Sequence, residues 1–241
     1  MDYTYYGDLL GISGYYKLGS QITHEKLNDF YNTVFHSLSD FCRNNNIDIH
    51  MFSDSLLISG SGDDHILSEL LKVYTKLLHK GLLLRGAIVK EKLSFEPRIN
   101  LSNFNKSLPA NDTLARAVGL ESKYKGSRLI IEPSLANVLL EGVQSWLTAD
   151  GYIYNPQPVG SHNTSPILRR ICPTPDNSAY ELLYFWTDSV LGHDTIDYKT
   201  KKDQLTEISK FLSADVAEHY KETIRLLTRC ESRQRFTEKN I

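Results

Sequence analysis

The chain has 241 residues, of which 41% are hydrophobic and 23% charged, and its formal net charge is −2. These values fit a soluble globular protein with a full core, and they argue against a dedicated nucleic-acid surface. No apolar run approaches the roughly 18 residues of a membrane span, and no secretion signal opens the chain, so we expect a cytoplasmic protein. Its three cysteines, Cys42, Cys172 and Cys230, have no zinc or dithiol spacing.

In chain order, apolar residues recur at every second position or every 3.6 positions until about residue 146, as in strands and helices that share a core. The predicted elements are a strand at 2–8, a turn at 11–14, a helix from Thr23 that asparagines 44–46 end, strands at 47–52 and 56–58, a helix that Asp63 and Asp64 cap and Gly81 ends, a strand at 82–89, a helix at 112–123, a strand at 127–132 and a short helix from Pro133. This order predicts an α/β (α+β) fold with a mixed β-sheet flanked by helices.

Beyond residue 146 the periodic pattern loosens. The segment 156–175 predicts loops around short strands, 180–186 predicts one more strand, and 203–232 predicts a final pair of helices. We therefore expect a core of residues 1–145 and a C-terminal extension, 146–241, packed on it.

Two aspartates mark the predicted core. Asp8 ends the first strand, and Asp54 lies where the second strand turns into the third. An aspartate in such a place is usually a turn former that accepts backbone amides. If the two strands are neighbours in one sheet, however, both carboxylates reach the same edge. Carboxylate oxygens are the ligands that Mg²⁺ and Mn²⁺ prefer, and a two-metal site of this kind serves phosphoryl or nucleotidyl transfer.

Other polar residues lie on the same predicted strands. Strand parity places His50 on the face that carries Asp54, while Arg85 lies in an apolar strand and needs an anionic partner. That partner is either a phosphate or a structural glutamate such as Glu121. Ser13 and Ser55 have no histidine and aspartate in the spacing of a catalytic triad, and the histidines form no metal-ligand motif.

Four segments carry a resemblance to a known family. They are Asp-Leu-Leu-Gly (8–11), Phe-Ser-Asp-Ser (52–55), Leu-Arg-Gly-Ala-Ile (84–88) and Leu-Ala-Arg-Ala-Val-Gly-Leu-Glu (114–121). In this order, and with the strand after them, they resemble the catalytic domain of class III nucleotidyl cyclases. Within that group the chain is most similar to the compact bacterial cyclases of the Pycsar antiphage system, which make cyclic UMP or cyclic CMP. The resemblance covers roughly residues 2–140.

The resemblance implies a function and a set of site residues. It implies a cyclase that uses two Mg²⁺ or Mn²⁺ ions to convert UTP or CTP to the 3′,5′-cyclic monophosphate, works as a homodimer with sites at the interface, and signals to a separate effector in antiphage defence. The implied residues are Asp8, Asp54 and the carbonyl of Leu9 as metal ligands, Gly11 and Ile12 at the triphosphate, and His50, Phe52 and Lys125 as further nucleotide contacts.

One family feature is missing. Class III enzymes usually carry an asparagine and an arginine four residues apart on the helix before the Leu-Glu pair, and this chain has Ala115 and Gly119 there. Pycsar-type cyclases also depart from that pattern. The positive charge at the phosphates would then come from Arg85, Arg116 or Lys125.

Two alternatives stay open. One is another enzyme of similar architecture, either a purine cyclase or a dinucleotide synthase, although the latter usually has a Gly-Gly-Asp/Glu turn where this chain has Phe52, Ser53 and Asp54. The other is a cyclase-like module that senses a nucleotide without catalysis. Both aspartates argue against such a module, and Ala115 and Gly119 argue for it.

Overall fold

A computed structural model describes residues 1–44, 46–96, 108–141, 146–147, 153–154, 166–184 and 196–239. The strands are β1 (Asp2–Leu9), β2 (Ile47–Phe52), β3 (Ser55–Ser61), β4 (Leu84–Lys90), β5 (Leu129–Ile131), β6 (Trp146–Leu147), β7 (Ile153–Tyr154), β8 (Ile171–Pro173) and β9 (Tyr180–Leu182). The helices are α1 (Ile12–Leu18), α2 (Ser20–Asn44), α3 (His65–His79), α4 (Thr113–Ser122), α5 (Pro133–Leu139), α6 (Tyr198–Ser209) and α7 (Ala214–Lys239), with a 3₁₀ turn at Pro166–Arg170.

Seven of these strands form one mixed sheet in the order β2-β3-β1-β4-β5-β9-β8, with β6 and β7 paired separately. Strand β1 lies between β3 and β4 and runs antiparallel to both, whereas β4 and β5 are parallel. The predicted mixed α/β sheet is confirmed. Because β1 and β4 are antiparallel, the carboxyl end of β1 and the amino ends of β4 and β5 meet at one edge of the sheet.

The two faces of the sheet are covered differently. Tyr3 and Tyr5 of β1 are fully buried, and they belong to the large core that also contains Phe30 of α2 and Tyr74 of α3. On the other face α4 packs on β1 and β4, where Ala87 and Ile130 form a smaller cluster. Successive side chains of a strand point to opposite faces of the sheet. In β1, Tyr3 and Tyr5 therefore face the large core, while Tyr6 and Asp8 face the other side.

The start of the helical region differs from the sequence-based expectation. The segment from Ile12 is a seven-residue helix and not a turn, and α2 begins at Ser20 and not near Thr23. The break between α1 and α2 falls at Gly19, whose φ of 131° suits glycine. Thr23 lies inside α2 and donates its hydroxyl to the Gly19 carbonyl at 3.1 Å. A threonine can form this bond within a helix as well as cap one, so the residue type alone misplaced the start.

The C-terminal extension supplies two strands of the main sheet and a helical pair. The predicted strand at 180–186 is observed as Tyr180–Leu182, and its last two positions lie outside the described residues, as does much of the loop regions at 100–111 and 156–175. Helix α7 is tied to the sheet by Arg128, which pairs with the buried Glu181 and, at 2.9 Å, with Glu222 of α7. Among the described helices, none is both long enough and apolar enough to cross a bilayer.

Candidate active site

Asp8 and Asp54 lie at the same edge of the sheet. Asp8 stands opposite Ser55 in the β1–β3 register, and the amide of Leu9 donates to the backbone carbonyl of Asp54 at 2.9 Å. Asp54 follows Ser53, whose φ of 53° gives the tight turn between β2 and β3. The hairpin therefore folds Asp54 back against the end of β1. This contact requires β1 to lie beside β3 in the sheet, and that pairing is a feature of the tertiary structure.

The negative charge of Asp54 acts on the Asp8 carboxyl. Burial and, next, the charge of Asp54 raise the pKa of Asp8 to about 6, against smaller opposing effects of the Ser55 hydroxyl and the Arg85 guanidinium. The Ser55 hydroxyl donates to Asp8 Oδ1 at 3.2 Å. Two close carboxylates, one partly buried, are a costly arrangement unless a proton or a cation joins them. The donor set and its excess negative charge therefore fit a divalent cation of the Mg²⁺ or Mn²⁺ type.

A third carboxylate, Glu121 of α4, lies beside this pair. It forms an ion pair with Arg85, and the side chains of Arg85 and Glu121 are only 16% and 4% exposed. Burial, more than the charge of Asp8, raises the pKa of Glu121, while Arg85 opposes the rise. Of the two partners that the sequence left open for Arg85, the structure contains the glutamate. Arg85 is also the cross-strand neighbour of Asp8, so it lies between the aspartate and Glu121.

A row of side chains crosses the face of the sheet on which α4 packs, and it ends at the exposed Phe52 of β2. Phe52 is opposite Ser55, Ser55 is opposite Asp8, and Asp8 is opposite Arg85, so these four side chains point to the same face. His50 lies one row along and stacks on Phe52, with ring centroids 6.1 Å apart and planes 7° apart. The Phe52 side chain is 64% exposed. The predicted base-contacting residues thus form an exposed aromatic pair next to the aspartates.

The turn after β1 brings backbone atoms to the same edge. Leu9 and Ile12 are buried in the core, so only their backbone groups are available to a ligand. Gly11 has φ 88°, and its carbonyl accepts from Gly14 N at 2.9 Å, which starts α1. The left-handed backbone at Gly11 is what turns the chain from strand into helix within two residues.

Arg116 is not brought to this edge within the chain. It bonds Glu132, Asp112 and Glu91 at 2.7, 3.0 and 3.0 Å, and it also donates to the Lys90 carbonyl at 3.0 Å. Lys90 ends β4 five positions after Arg85, which in a strand is a separation of about 17 Å. The catalytic role that the resemblance implies for Arg116 stays a prediction, and it would require a second copy of the chain to bring Arg116 to an aspartate pair.

Lys125 lies at the candidate edge, but in contact with the C-terminal extension. Its Nζ pairs with Asp215 in the first turn of α7 at 3.2 Å, and the next amide, Gly126 N, donates to His219 Nδ1 at 3.2 Å. Farther along α7, the Tyr220 hydroxyl donates to the Leu10 carbonyl at 3.5 Å. Helix α7 therefore packs against both the turn after β1 and the loop before β5, and it forms one wall of the site.

The sequence did not identify this wall. Asp215 and His219 are more than 200 positions away from Asp8 along the chain, and neither lies in a motif. Their helical spacing of four residues places both on one face of α7, but the sequence does not indicate what that face contacts.

A separate acidic group lies at the opposite edge of the sheet. Within the described residues, one ligand atom each from Asp63, Asp64 and His65 lies within 4.8 Å of the others. This group follows β3, whose last residue, Ser61, pairs with Asp2 at the start of β1. It is therefore the length of β1 away from Asp8 and does not belong to the aspartate pair.

Comparisons with known proteins give structural likenesses and no sequence match. No family model matches the chain, and no curated protein matches it. Among solved structures it is similar to the adenylyl cyclase CyaB from P. aeruginosa, with a TM-score of 0.48, 12% identity, and 75% of this chain and 92% of that chain covered.

Two further solved structures show the same kind of likeness. The guanylyl cyclase Cya2 gives a TM-score of 0.42 and 17% identity over 67% of this chain and 87% of that chain. The guanylate cyclase domain of RhGC from Catenaria anguillulae, solved in complex with GTP, gives 0.46 and 10% over 63% and 88%. All these TM-scores lie below 0.5, so the similarity does not by itself assign an activity to the chain.

Proposed function

We propose that this protein is a nucleotidyl cyclase that converts a pyrimidine nucleoside triphosphate, UTP or CTP, to the 3′,5′-cyclic monophosphate and pyrophosphate. The observation that carries the proposal is the convergence of Asp8 and Asp54 at one edge of the sheet, with the pKa of Asp8 raised to about 6. Two aspartates that only end their strands do not need to lie so close that their negative charges repel each other. A pair that binds cations does.

The reaction needs charge control at two oxygens. The ribose 3′-oxygen forms a bond to the α-phosphorus while the bond from that phosphorus to the bridging oxygen of pyrophosphate breaks, and the hydroxyl proton passes to water or to the pyrophosphate. Asp8, Asp54 and the Leu9 carbonyl would hold two Mg²⁺ or Mn²⁺ ions, which supply positive charge at the attacking and leaving oxygens when bound. Ser55 orients the Asp8 carboxylate by donating to its Oδ1.

Arg85 positions the site from within the sheet. Its guanidinium lies between Asp8 and Glu121 and opposes the rise in the pKa of both carboxyls. A buried arginine with one glutamate partner retains further N–H donors. In the proposed reaction Arg85 keeps Asp8 ionised, and its remaining donors face the phosphates as charge develops there.

The base would bind over the aromatic pair of His50 and Phe52. Both rings are exposed, and His50 and Phe52 lie four and two residues before Asp54. A nucleotide whose phosphates are at Asp54 therefore reaches them with its base. A neutral imidazole offers one donor and one acceptor, which suits the polar edge of either uracil or cytosine. Gly11 and Ile12 would meet the triphosphate through their backbone amides.

The functional unit would be a homodimer. The exposed part of this face, at His50 and Phe52 of β2, provides only one side of a nucleotide cleft, and an exposed phenylalanine there suits a surface that a second copy covers. The resemblance implies that the cyclic product then acts on a separate effector in antiphage defence, and we expect the protein to work in the cytoplasm. Sedimentation analysis of the protein with and without nucleotide tests the dimer.

The decisive experiment incubates the purified protein with each of the four nucleoside triphosphates and MnCl₂, with chromatography and mass spectrometry of the products. We expect cyclic UMP or cyclic CMP and an equal amount of pyrophosphate. A purine cyclic nucleotide would redirect the substrate assignment. No product from any triphosphate would leave the second candidate, a nucleotide-sensing module without catalysis, which the missing pair at Ala115 and Gly119 favours.

A further inference from the structure

The C-terminal helix α7 reaches the side of the site that lies across Arg85 from Asp8. Gly86 N donates to the Arg128 carbonyl at 2.9 Å, and Ser127 donates to the Leu84 carbonyl, so the loop before β5 runs directly beside the start of β4. His219 is bonded to that loop at Gly126. Asp8, Arg85 and the Gly126 loop therefore lie side by side at one edge, about two strand spacings or roughly 10 Å across.

The contact between His219 and Gly126 fixes the tautomer of the imidazole. Nδ1 accepts the Gly126 amide hydrogen at 3.2 Å, so in the neutral ring the hydrogen is on Nε2. Burial, then Arg85 and Lys125, lower the pKa of His219, against weaker opposing effects of Asp215 and Glu218, so the ring stays neutral near pH 7. Nε2 is therefore a hydrogen-bond donor, and it has no partner among the residues that the structure describes.

Accepting a hydrogen bond from a loop amide does not by itself require an imidazole. One turn later on the same helix face, Thr223 accepts the amide of Ser127 at 2.9 Å with only a hydroxyl. His219 accepts a loop amide in the same way, but its ring carries a second polar atom, Nε2, that this hydrogen bond does not use. The His219 residue is 9% exposed, and Arg85 and Lys125 are near enough for their charges to act on the ring.

We propose that His219 donates from Nε2 to a phosphate oxygen of the bound nucleoside triphosphate, with Lys125 beside it, and that the C-terminal helix thus supplies a substrate contact. This inference rests on the proposed function, because it names the part of the site that holds the β- and γ-phosphates. It also gives residues 214–223 a role that the missing pair at Ala115 and Gly119 leaves open. The metal-binding aspartates would hold one end of the triphosphate, and the wall from α7 would hold the other.

The test uses His219→Asn in the full-length protein. An asparagine on the same helix position can still accept the Gly126 amide through its side-chain oxygen, but it has no atom at the place of Nε2. We expect the melting temperature to stay within about 2 °C of the wild type, and the affinity for inorganic tripolyphosphate with MnCl₂, measured by calorimetry, to fall roughly tenfold or more, as for loss of a hydrogen bond to a charged group. His219→Gln, whose amide nitrogen reaches farther, should recover part of that affinity.

Lys221→Ala is the matched control, since it removes an exposed charge from the same helix, two positions away, where Lys221 pairs with Glu218 at 3.3 Å. It should bind tripolyphosphate as the wild type does. Equal affinity of His219→Asn and wild type would overturn the inference, and so would an equal loss in Lys221→Ala. Tripolyphosphate binding does not require turnover, so if no triphosphate yields a cyclic product, the proposed function fails while the phosphate contact is still judged by this measurement.

Discussion

The two edges of the central strands carry similar numbers of charges but treat them differently. At one edge Arg85 pairs with Glu121, Asp8 and Asp54 lie close together, and the pKa of Asp8 is raised to about 6. At the other edge Arg116 is surrounded by Asp112, Glu91 and Glu132, and the pKa of Glu132 is lowered.

The difference separates a structural network from a candidate site. Around Arg116 each acid has a close cation or a backbone donor, so the network is stable as it is. Around Asp8, Arg85 forms its ion pair with Glu121, so burial and the charge of Asp54 still raise the pKa of Asp8, and folding holds the two aspartates together at a cost in stability. Such a cost persists in natural proteins mainly where function uses it. This contrast supports the proposal that a cation and a polyphosphate bind at the edge with the unfavourable charge.

The largest expected effect tests the metal-binding assignment. Asp8→Asn and Asp54→Asn should each reduce cyclase turnover by more than roughly a thousandfold, because each removes an anionic ligand of the proposed ions. Asp112→Asn is the matched control at the other edge, and it should keep turnover within about threefold of the wild type. Turnover is measured as pyrophosphate release with MnCl₂. Substantial product from either site variant would refute the assignment.

A smaller effect is expected at the opposite edge. Arg116→Met leaves three acids without their shared guanidinium and should lower the free energy of unfolding by about 1–2 kcal/mol, as for a partly exposed ionic network. Turnover at full folding should change less than threefold. Urea denaturation gives the first quantity and product formation the second. A hundredfold loss of turnover at unchanged stability would instead support the catalytic role that the resemblance implies for Arg116.

The smallest effect follows from the raised pKa of Asp8. In the folded state this carboxyl releases its proton near pH 6, but in the unfolded chain it does so near its ordinary value of 3.8. The unfolding free energy therefore falls as the pH rises through this window and stays low above it. Asp8→Asn removes this loss, so above pH 6 the variant should be more stable than the wild type by on the order of 1 kcal/mol after solvent screening, with no gain near pH 3.

Denaturation at several pH values without added metal measures this gain. Asp112→Asn again serves as the control and should give no stabilisation that grows with pH. A destabilised Asp8→Asn variant at pH 8 would mean that the aspartate pair is not under electrostatic strain, and the contrast between the two edges would lose its basis.

Local sequence patterns predicted much of the core correctly. Alternation around 47–52 and the apolar period of α2 and α3 arise from neighbours a few residues apart, and the observed elements follow them within a few positions. The exceptions are local choices with two solutions. Thr23 can cap a helix or form a hydrogen bond within one, and the segment from Ile12 can form a turn or a helix. Packing against the rest of the protein decided both.

The sequence by itself determined which residue types stand at strand ends, and from Asp8, Asp54 and their order it determined the hypothesis of a metal site. Only the tertiary structure decided that β1 lies between β3 and β4, which brings those carboxylates to one edge of the sheet. It also decided that Arg85 forms its ion pair with Glu121. It also decided that α7 returns to this edge with His219. The physical reason is that hydrophobic periodicity records burial along one segment, whereas contacts between distant segments depend on how all the buried faces pack together.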